Sequence, residues 1–357
     1  MRKSLLITAV LLFSFLWSES FALPRFSAKV EQKCNLCHIN PTGGGMRNAF
    51  GSQYFAQTEL AVHKVSLDSI TRFNPMLSEN ISVGMDMRTL YTYDRTAKQS
   101  SFFQMEGNLY LDAQLGDRLS LTISKGLYTG FDIFGMAYVL PLQGYVKVGK
   151  FQPSYGWRFS DHTSFVREGT LWPPNLTDTG MEIGLYPYGI SANIGFFNGS
   201  AGQFDDDNGK ALSARFEFRR HVSIFGFGMG GSYWRNDRDN GAINMYGPLF
   251  YLNSLDARLI YLGELDWLEN RFTNITTFAT THNIGYMISQ GIWLEAQYDF
   301  RDPDIDIKGG AISRYSFGVD YFPTGFLEIE PSLKYFEDDF SADGNYAVFY
   351  NQFHFFF

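Results

Sequence analysis

Residues 104–115 read QMEGNLYLDAQL, and the alternation within this stretch indicates the architecture of most of the chain. Every second residue from Met105 to Leu115 is apolar or small, whereas the residues between them are mostly polar. Since side chains two residues apart point to the same side of a β-strand, the stretch predicts a strand with one apolar and one polar face. The same alternation recurs in residues 82–92 and 292–301.

A soluble β-sandwich would alternate as well, but three features of residues 75–357 favour a membrane barrel. The alternating stretches are about 10 to 13 residues long, which suits a tilted membrane strand. Tyrosine, phenylalanine and tryptophan concentrate at strand ends, as in the aromatic girdles of such barrels. The last alternating strand, residues 347–357, ends on Phe357, which resembles the C-terminal strand recognised during outer-membrane assembly. We therefore predict an all-β fold, a transmembrane antiparallel β-barrel.

The number of strands follows from the alternating stretches and the turn residues between them. We predict sixteen strands, an even number as in bacterial barrels; the strand near Ile243 is the weakest, and its loss with a neighbour would leave fourteen. Short periplasmic turns are predicted near residues 115–117, 141–143, 219–221, 290–291 and 323–325, with longer connections outside. The strands are predicted to begin near Glu79, Ser101, Arg118, Phe131, Gly144, Thr179, Ile190, Ala211, Val222, Ile243, Ala257, Phe272, Ile292, Ile312, Phe326 and Tyr346.

The first 22 residues have the organisation of a secretory signal peptide. Residues 1–3 are basic, residues 5–17 are apolar, and Ala22 ends a stretch that suits signal peptidase. The apolar run is shorter than the about 20 residues that a spanning helix needs. We predict cleavage after Ala22 and export. The chain carries a net charge of −8, which argues against nucleic acid as a partner.

The two cysteines of the chain lie in the motif Cys34-Asn35-Leu36-Cys37-His38. C-x-x-C-H is the signature of covalent haem attachment, in which both thiols bond to the haem and the histidine binds the iron. The predicted export agrees with this chemistry, since haem c is attached outside the inner membrane. A structural disulfide is one alternative. A zinc site made by the motif and His63 is the other.

Residues 23–74 are predicted to form a small monohaem cytochrome c segment around this motif. Residues 39–45 include Pro41 and three glycines, which let the backbone approach a flat ligand. The Pro41 carbonyl is a candidate to accept the imidazole N–H of His38 and orient it. Residues 46–62 are predicted to form one amphipathic α-helix.

The sixth ligand of the iron is left open between several residues. His63 is the first candidate, because imidazole binds iron well and the residue lies outside the motif. Met76 is the second and Met46 the third, since Met46 is so close in sequence to His38. An open or water-bound position is the remaining alternative, and it would indicate substrate chemistry.

The predicted external connections contain most of the clustered acidic residues. Solvation alone explains acidic loops, and a rim that collects a metal cation such as ferrous iron is the second interpretation. The longest connection, residues 153–178, is predicted to fold inward as a polar constriction, and a metal or haem ligand at His162 is the alternative. The rim residues are Asp205, Asp206, Asp207, Asp302, Asp304, Asp306, Glu337, Asp338, Asp339 and Asp343.

The combination of signal peptide, haem motif and barrel resembles the fused monohaem cytochrome–porins of iron-oxidising bacteria. The resemblance rests on Cys34, Cys37 and His38 and on residues 40–44. Residues 37–45 also resemble barrels of metal-reducing bacteria, in which electrons would flow outward. The resemblance implies an outer-membrane protein with one haem c, whose haem segment lies in the lumen or on the periplasmic side.

That resemblance also implies a function in electron transfer. The partners would be outer-membrane lipid, a periplasmic c-type cytochrome, and extracellular Fe(II) or a metal oxide. An Fe(II):cytochrome c oxidoreductase is the corresponding activity. The alternative from the transport class is a solute-conducting porin in which the cysteine motif is a redox sensor or a structural cap.

Overall fold

The computed structural model of the protein describes residues 25–26, 33–63, 66, 69, 73–127, 130–168, 176–200, 204–205, 207–254, 257–338 and 344–357. The predicted signal peptide lies outside the described residues. So do three residues of the predicted acidic rim, Asp206, Asp339 and Asp343.

Sixteen long strands of the described chain form a closed antiparallel barrel. Each pairs with its neighbours in sequence, and β17 pairs with β2 to close the ring, whereas the three-residue β1 pairs only with the start of β2. The sixteen-strand prediction is confirmed, and every strand begins within three residues of its predicted start. The strands are β1 Met76–Ser78, β2 Ile81–Asp94, β3 Gln99–Gly116, β4 Leu119–Gly126, β5 Phe131–Leu140, β6 Gly144–Phe151, β7 Asp178–Leu185, β8 Ile190–Phe197, β9 Ala211–Val222, β10 Phe225–Arg238, β11 Gly241–Ser254, β12 Leu259–Asn270, β13 Ile275–Ser289, β14 Ile292–Asp302, β15 Ile312–Thr324, β16 Leu327–Asp338 and β17 Tyr346–Phe356.

The two faces of the wall are reversed relative to a water-soluble protein. Leu109 and Phe317 point outward and are 63% and 64% exposed, whereas Glu264 and Asp299 point into the lumen and are fully buried. Apolar side chains outside and polar ones inside are the arrangement of a transmembrane barrel. Of the residues described, no helix has the length and apolar character to cross a membrane.

The two ends of the barrel differ in the length of their connections. One end, which we name the turn end, has seven connections of two to four residues, and both Ile81 and Phe357 lie there. The other, the loop end, has connections of up to 26 residues, although the one between β10 and β11 has only two. The predicted turn at residues 219–221 is wrong: these residues belong to β9, and the turn is Ser223–Ile224, where Ser223 has a φ of +57°.

Residues 152–168, which we name the inner loop, leave the loop end and cross the lumen. The backbone N–H of Trp157 donates to Glu264 on β12 (2.6 Å), and its indole N–H donates to the Gly263 carbonyl (3.0 Å). Further along, the Phe165 N–H donates to Asp299 on β14 (3.1 Å). The inward fold predicted for this connection is confirmed.

Residues 33–63, which we name the N-terminal segment, lie in the lumen near the turn end. Their helix spans Phe50–Leu60 and is of the π type, since the Ala61 N–H donates to Ala56 five residues earlier (3.3 Å). It is shorter than the predicted helix over residues 46–62. Gln290, in the turn between β13 and β14, donates to the carbonyls of Thr58 and Ala61 (2.7 and 2.9 Å).

An apolar sector of the lumen wall receives this helix. Phe55, Ala56 and Leu60 of the segment are buried in one cluster with Trp293 and with other wall residues. The sector is an exception to the polar lumen, and it explains why the segment docks inside the barrel. The other wall residues of the cluster are Leu249, Tyr251, Ala257, Ile260, Leu262, Ala279, Met287, Phe322 and Phe356.

Candidate functional site

The cysteine motif forms a single tight turn inside the barrel. Residues Cys34–Leu36 make a 3-10 turn, and the N–H groups of Cys37 and His38 both donate to the Cys34 carbonyl (3.1 and 2.9 Å). The Asn48 amide donates to the carbonyls of Asn35 and Leu36 (3.1 and 2.9 Å). The turn is therefore fixed by a side chain from the start of the π-helix.

The two cysteines are not joined to each other, so the motif does not form the disulfide considered from the sequence. Cys34 is buried, and Cys37 is half-buried against the apolar cluster that holds the π-helix. Burial raises the pKa of Cys37 to about 12. Its sulfur is therefore present as the neutral thiol.

The imidazole of His38 lies beside the same turn. Burial and the charge of Arg47 lower the pKa of His38 to about 4, so the ring is neutral at neutral pH, as an iron ligand must be. Its Nδ1 is buried and has no hydrogen-bond partner among the described residues. The predicted partner, the Pro41 carbonyl, instead accepts a hydrogen bond from the Tyr186 hydroxyl (3.4 Å).

Glycines let the segment fold closely around the turn. Gly43, Gly44 and Gly45 have φ values of +82°, +72° and +64°, a left-handed backbone that residues with a side chain rarely adopt. A methyl group at Gly51 would lie 2.2 Å from the Cys37 carbonyl oxygen. The helix thus packs on the motif with no room for a side chain at position 51.

Three arginines of the lumen have Cys34 as an electrostatic neighbour: Arg158 of the inner loop, and Arg215 and Arg219 of β9. Arg158 also joins the inner loop to the N-terminal segment, because its Nε donates to the Thr42 carbonyl (3.1 Å). The other two lie over the Trp157 ring, at 5.2 and 5.6 Å from its centre.

The balance of charge in this arginine cluster is positive. Glu217 forms ion pairs with both Arg215 and Arg219 and neutralises one positive charge. Three guanidinium groups around one carboxylate leave an environment that favours an anionic group. Because the cluster faces the lumen beside the cysteine motif, it is suited to a ligand carried by that motif.

Carboxylates gather on another part of the wall, formed by β15 and β16. Ligand oxygens of Asp320, Glu328 and Glu330 all lie within 4.8 Å of one another. Arg25 enters this group and pairs with Asp320 and with Glu295 of β14, and its Nη2 lies 3.9 Å from Glu328. The acidic cluster therefore holds Arg25 inside the barrel.

The sequence placed its candidate metal-binding carboxylates at the loop end instead. There Asp205 pairs with Lys210, and Asp302 accepts a hydrogen bond from the Asp304 N–H (3.1 Å). In the described part of the chain, the grouped carboxylates that could hold a metal are those in the lumen. The zinc set of Cys34, Cys37, His38 and His63 is not brought together.

The candidate sixth ligands are spread over different places. His63 is exposed at the turn end, next to Val62, whose N–H donates to the Phe322 carbonyl (2.9 Å). Met46 is buried against Gly84 of β2, and Met76 lies half-buried in β1. His162 of the inner loop is half-buried in the lumen, with its Nδ1 3.8 Å from Glu106 of β3.

Sequence reasoning found the inward charges of the strands but not their grouping. The polar faces of the three alternating stretches, residues 82–92, 104–115 and 292–301, do face the lumen; they carry Arg88, Asp112 and Glu295. The spacing of Arg215, Glu217 and Arg219 is a signal that could have been used, since residues two apart on a strand share a face. No short sequence pattern indicates that Arg158 would join the arginine cluster, or that Arg25 would join the carboxylates of β14, β15 and β16.

Comparison with known proteins identifies the architecture. The sequence matches no protein-family model and no curated protein. Among solved structures, the fold is similar to OprB of Pseudomonas putida, with a TM-score of 0.63 and 9% identity over 78% of this chain and 94% of that one. It is also similar to OmpT of Vibrio cholerae, with a TM-score of 0.58 and 12% identity over 80% of this chain and all of that one.

A third similar structure is an anion-selective porin from Comamonas acidovorans. Its TM-score is 0.56 and its identity 10%, over 78% of this chain and 99% of that one. At such identities the likeness establishes a shared barrel fold. The function must be argued from the lumen of this chain.

Proposed function

We propose that this protein is an outer-membrane barrel that carries one covalent haem c in its lumen and transfers electrons between periplasmic and extracellular partners. The observation that carries the proposal is the motif turn. Two cysteines that form no disulfide and a neutral imidazole lie on one turn, which the barrel wall encloses and which Arg158 and Thr42 join to the inner loop.

The residues of the lumen fit a haem in three respects. Cys34 and Cys37 would form the thioether bonds, and His38, whose neutral ring lies beside the same turn, would bind the iron. Cys37 packs against the apolar cluster that holds the π-helix, so the macrocycle would lie beside apolar side chains. Arg158, Arg215 and Arg219 offer positive charge for its carboxylates.

When bound, the haem supplies a one-electron redox couple. Its position in the barrel determines which redox partners are close enough to exchange electrons with it. The apolar band of such a barrel is about 25 Å tall. A centre in the turn-end half is therefore closer to the periplasm than to the outside. We assign a soluble periplasmic c-type cytochrome to the turn end, and Fe(II) or a metal oxide to the loop end.

The comparisons favour a second candidate, a solute-conducting porin in which the motif is a redox sensor or a structural cap. One of the similar structures is an anion-selective porin, and Arg215 and Arg219 face the lumen of this chain. Against conduction, the N-terminal segment and the inner loop enter the lumen from opposite ends and meet at Arg158.

The experiment that separates the two candidates measures covalent haem, electron transfer and solute flux on the same protein. The chain is expressed in a host that matures c-type cytochromes and stained for haem after denaturing electrophoresis. It is then reconstituted into liposomes that enclose a redox dye, with a membrane-impermeant reductant outside. Solute flux is followed by swelling of the same liposomes.

We expect covalent haem, reduction of the enclosed dye, and little swelling. The double variant Cys34→Ala with Cys37→Ala, which has no thiol for haem attachment, is the matched control, and it should abolish dye reduction while the barrel remains inserted. Swelling without dye reduction would instead support the porin. Absence of covalent haem from the wild-type chain would end the electron-transfer proposal.

A further inference from the structure

The six histidines of the chain differ in how their rings are used. We propose that His162 of the inner loop is the second axial ligand of the haem iron. The inference rests on the proposed function and names a residue of the same site. It replaces His63, the first candidate from the sequence.

Two of the other histidines already have both ring nitrogens bonded. His354 of β17 is bonded to Glu328 (2.8 Å) and Asp86 (2.7 Å). His282 of β13 is bonded to the Tyr261 hydroxyl (2.8 Å) and the Thr280 hydroxyl (3.0 Å). Neither ring has a nitrogen free for iron.

The position of His282 excludes it further. Its neighbour Thr281 is fully buried and bonded to Asp299 in the lumen. Alternation along the strand therefore turns His282 to the outer face. A ligand of a haem in the lumen must come from the other face.

Two more histidines lie at the turn end. His221 is in the last two residues of β9, next to the turn Ser223–Ile224. His63 is exposed beyond the π-helix. An iron ligand is normally shielded from solvent and oriented by its surroundings; the exposed His63 lacks both properties, and the half-buried His221 already has an interaction partner at the end of its strand.

His162 differs from these four. Its side chain is 22% exposed and lies inside the barrel. Its nearest acidic group, Glu106, is at 3.8 Å, which is too far for a hydrogen bond, and the same carboxylate is held by Arg88 (2.9 Å). Within the described residues, the ring has no hydrogen-bond partner.

His162 and His38 face the same part of the wall. The backbone of His38 pairs with Arg47, whose guanidinium lies 3.3 Å from Asp86 of β2. Arg88 lies two residues further along β2, about 7 Å toward the loop end. Its guanidinium donates to the Ser160 carbonyl of the inner loop (2.9 Å). Residues beside the two histidines, Arg47 and Ser160, thus contact positions of β2 that are two residues apart.

The backbone on either side of His162 is anchored to the wall. Asp161 pairs with Arg314 of β15 (3.0 Å) and Lys334 of β16 (2.8 Å). The Thr163 hydroxyl accepts hydrogen bonds from both of these residues (2.9 and 2.8 Å). His162, between these two residues, is therefore held in place. A ligand that approaches the iron from the loop end needs such a fixed position.

The test is the absorption spectrum of the full-length holoprotein and of two variants, His162→Ala and His63→Ala. We expect a low-spin, six-coordinate spectrum for the wild type and for His63→Ala. His162→Ala should keep its covalent haem but show a high-spin spectrum, and added imidazole should restore the low-spin form. The unheated variants are compared by electrophoresis to establish that each barrel is folded.

Other outcomes overturn the inference. A wild-type spectrum that is already high-spin would show that no second side chain binds the iron, although the covalent haem stands. A low-spin His162→Ala beside a high-spin His63→Ala would assign the ligand to His63. If His162→Ala does not fold, His162→Met replaces it, and an unchanged spectrum and midpoint potential would reject His162. Failure of the proposed function is distinguishable, because the wild type would then carry no covalent haem.

Discussion

The barrel wall and the N-terminal segment bury their apolar side chains in opposite directions. On the wall, Phe317 points outward and is 64% exposed, while Asp299 is buried in the lumen. In the segment, Phe55 and Ala56 are buried inside the barrel against Trp293. The wall therefore depends on lipid, whereas the segment depends on docking to the wall. A substitution that destabilises the wall should therefore leave the docking of the segment intact, and a substitution that undocks the segment should leave the wall folded.

The largest expected effect is the complete loss of the proposed haem from a barrel that remains folded. The double change Cys34→Ala with Cys37→Ala removes both thioethers and should eliminate haem staining, while the mobility of the unheated barrel stays unchanged. Leu36→Ala, a change between the two thiols, is the control and should retain the stain. Equal staining of the double variant and wild type would show that these two cysteines hold no haem.

The next effect concerns Arg25, which precedes the N-terminal segment and is paired with carboxylates of the lumen. Arg25→Glu places a carboxylate among Glu295, Asp320 and Glu328. Breaking a buried ion pair typically costs about 3–5 kcal/mol, so the segment should undock and the barrel should remain. Limited proteolysis of the segment should be much faster than in Arg95→Glu, an exposed-loop control. Equal cleavage rates would mean that Arg25 does not hold the segment.

A change on the outer face should have the converse result. Phe317→Arg places a charge in the lipid-facing band, which costs about 2–4 kcal/mol near the bilayer midplane. Urea unfolding of the barrel in lipid should shift to lower concentration, with the spectrum of the folded haem protein unchanged. Lys98→Arg, at an exposed position in a loop, is the control. An altered spectrum would show that wall and segment are coupled after all.

The smallest effect tests the close packing within the segment. Gly51→Ala puts a methyl group 2.2 Å from the Cys37 carbonyl oxygen, and overpacking costs about 1–3 kcal/mol. We expect a lower melting temperature of the haem site and an unchanged barrel transition. Gly130→Ala, where a methyl group meets nothing within 4 Å, is the control. An identical melting temperature would show that the helix moves aside freely.

The same contrast explains what the sequence could predict. Strands follow a period of two, so the face of Glu264 or Asp299 can be read from its neighbours. Local pattern did not place the turn after β9, because Arg219, Arg220 and His221 are polar like turn residues but lie in a strand whose polar face is internal. It also gave no sign that Trp293 would meet a helix.

The candidate site depends on contacts between distant parts of the chain. The motif alone predicts haem attachment, because Cys34, Cys37 and His38 lie within five residues of one another on one turn. The contact of Arg158 with Thr42 joins residues 116 apart in sequence, and Arg25 meets Glu295 across 270. Such pairs follow from barrel closure and inner-loop docking, which no short stretch of sequence encodes.

The seam of the barrel has a consequence for biogenesis. The first and last strands of the ring meet where the Phe357 N–H donates to the Met85 carbonyl (3.1 Å). Arg47 of the segment touches both sides of this junction, with Asp86 at 3.3 Å on β2 and the Phe356 ring centre at 4.1 Å on β17. The segment is synthesised first and the last strand at the end of translation. If the proposed haem is attached at Cys34, the enzyme that attaches it must therefore act on the nascent or unfolded chain, before the ring closes.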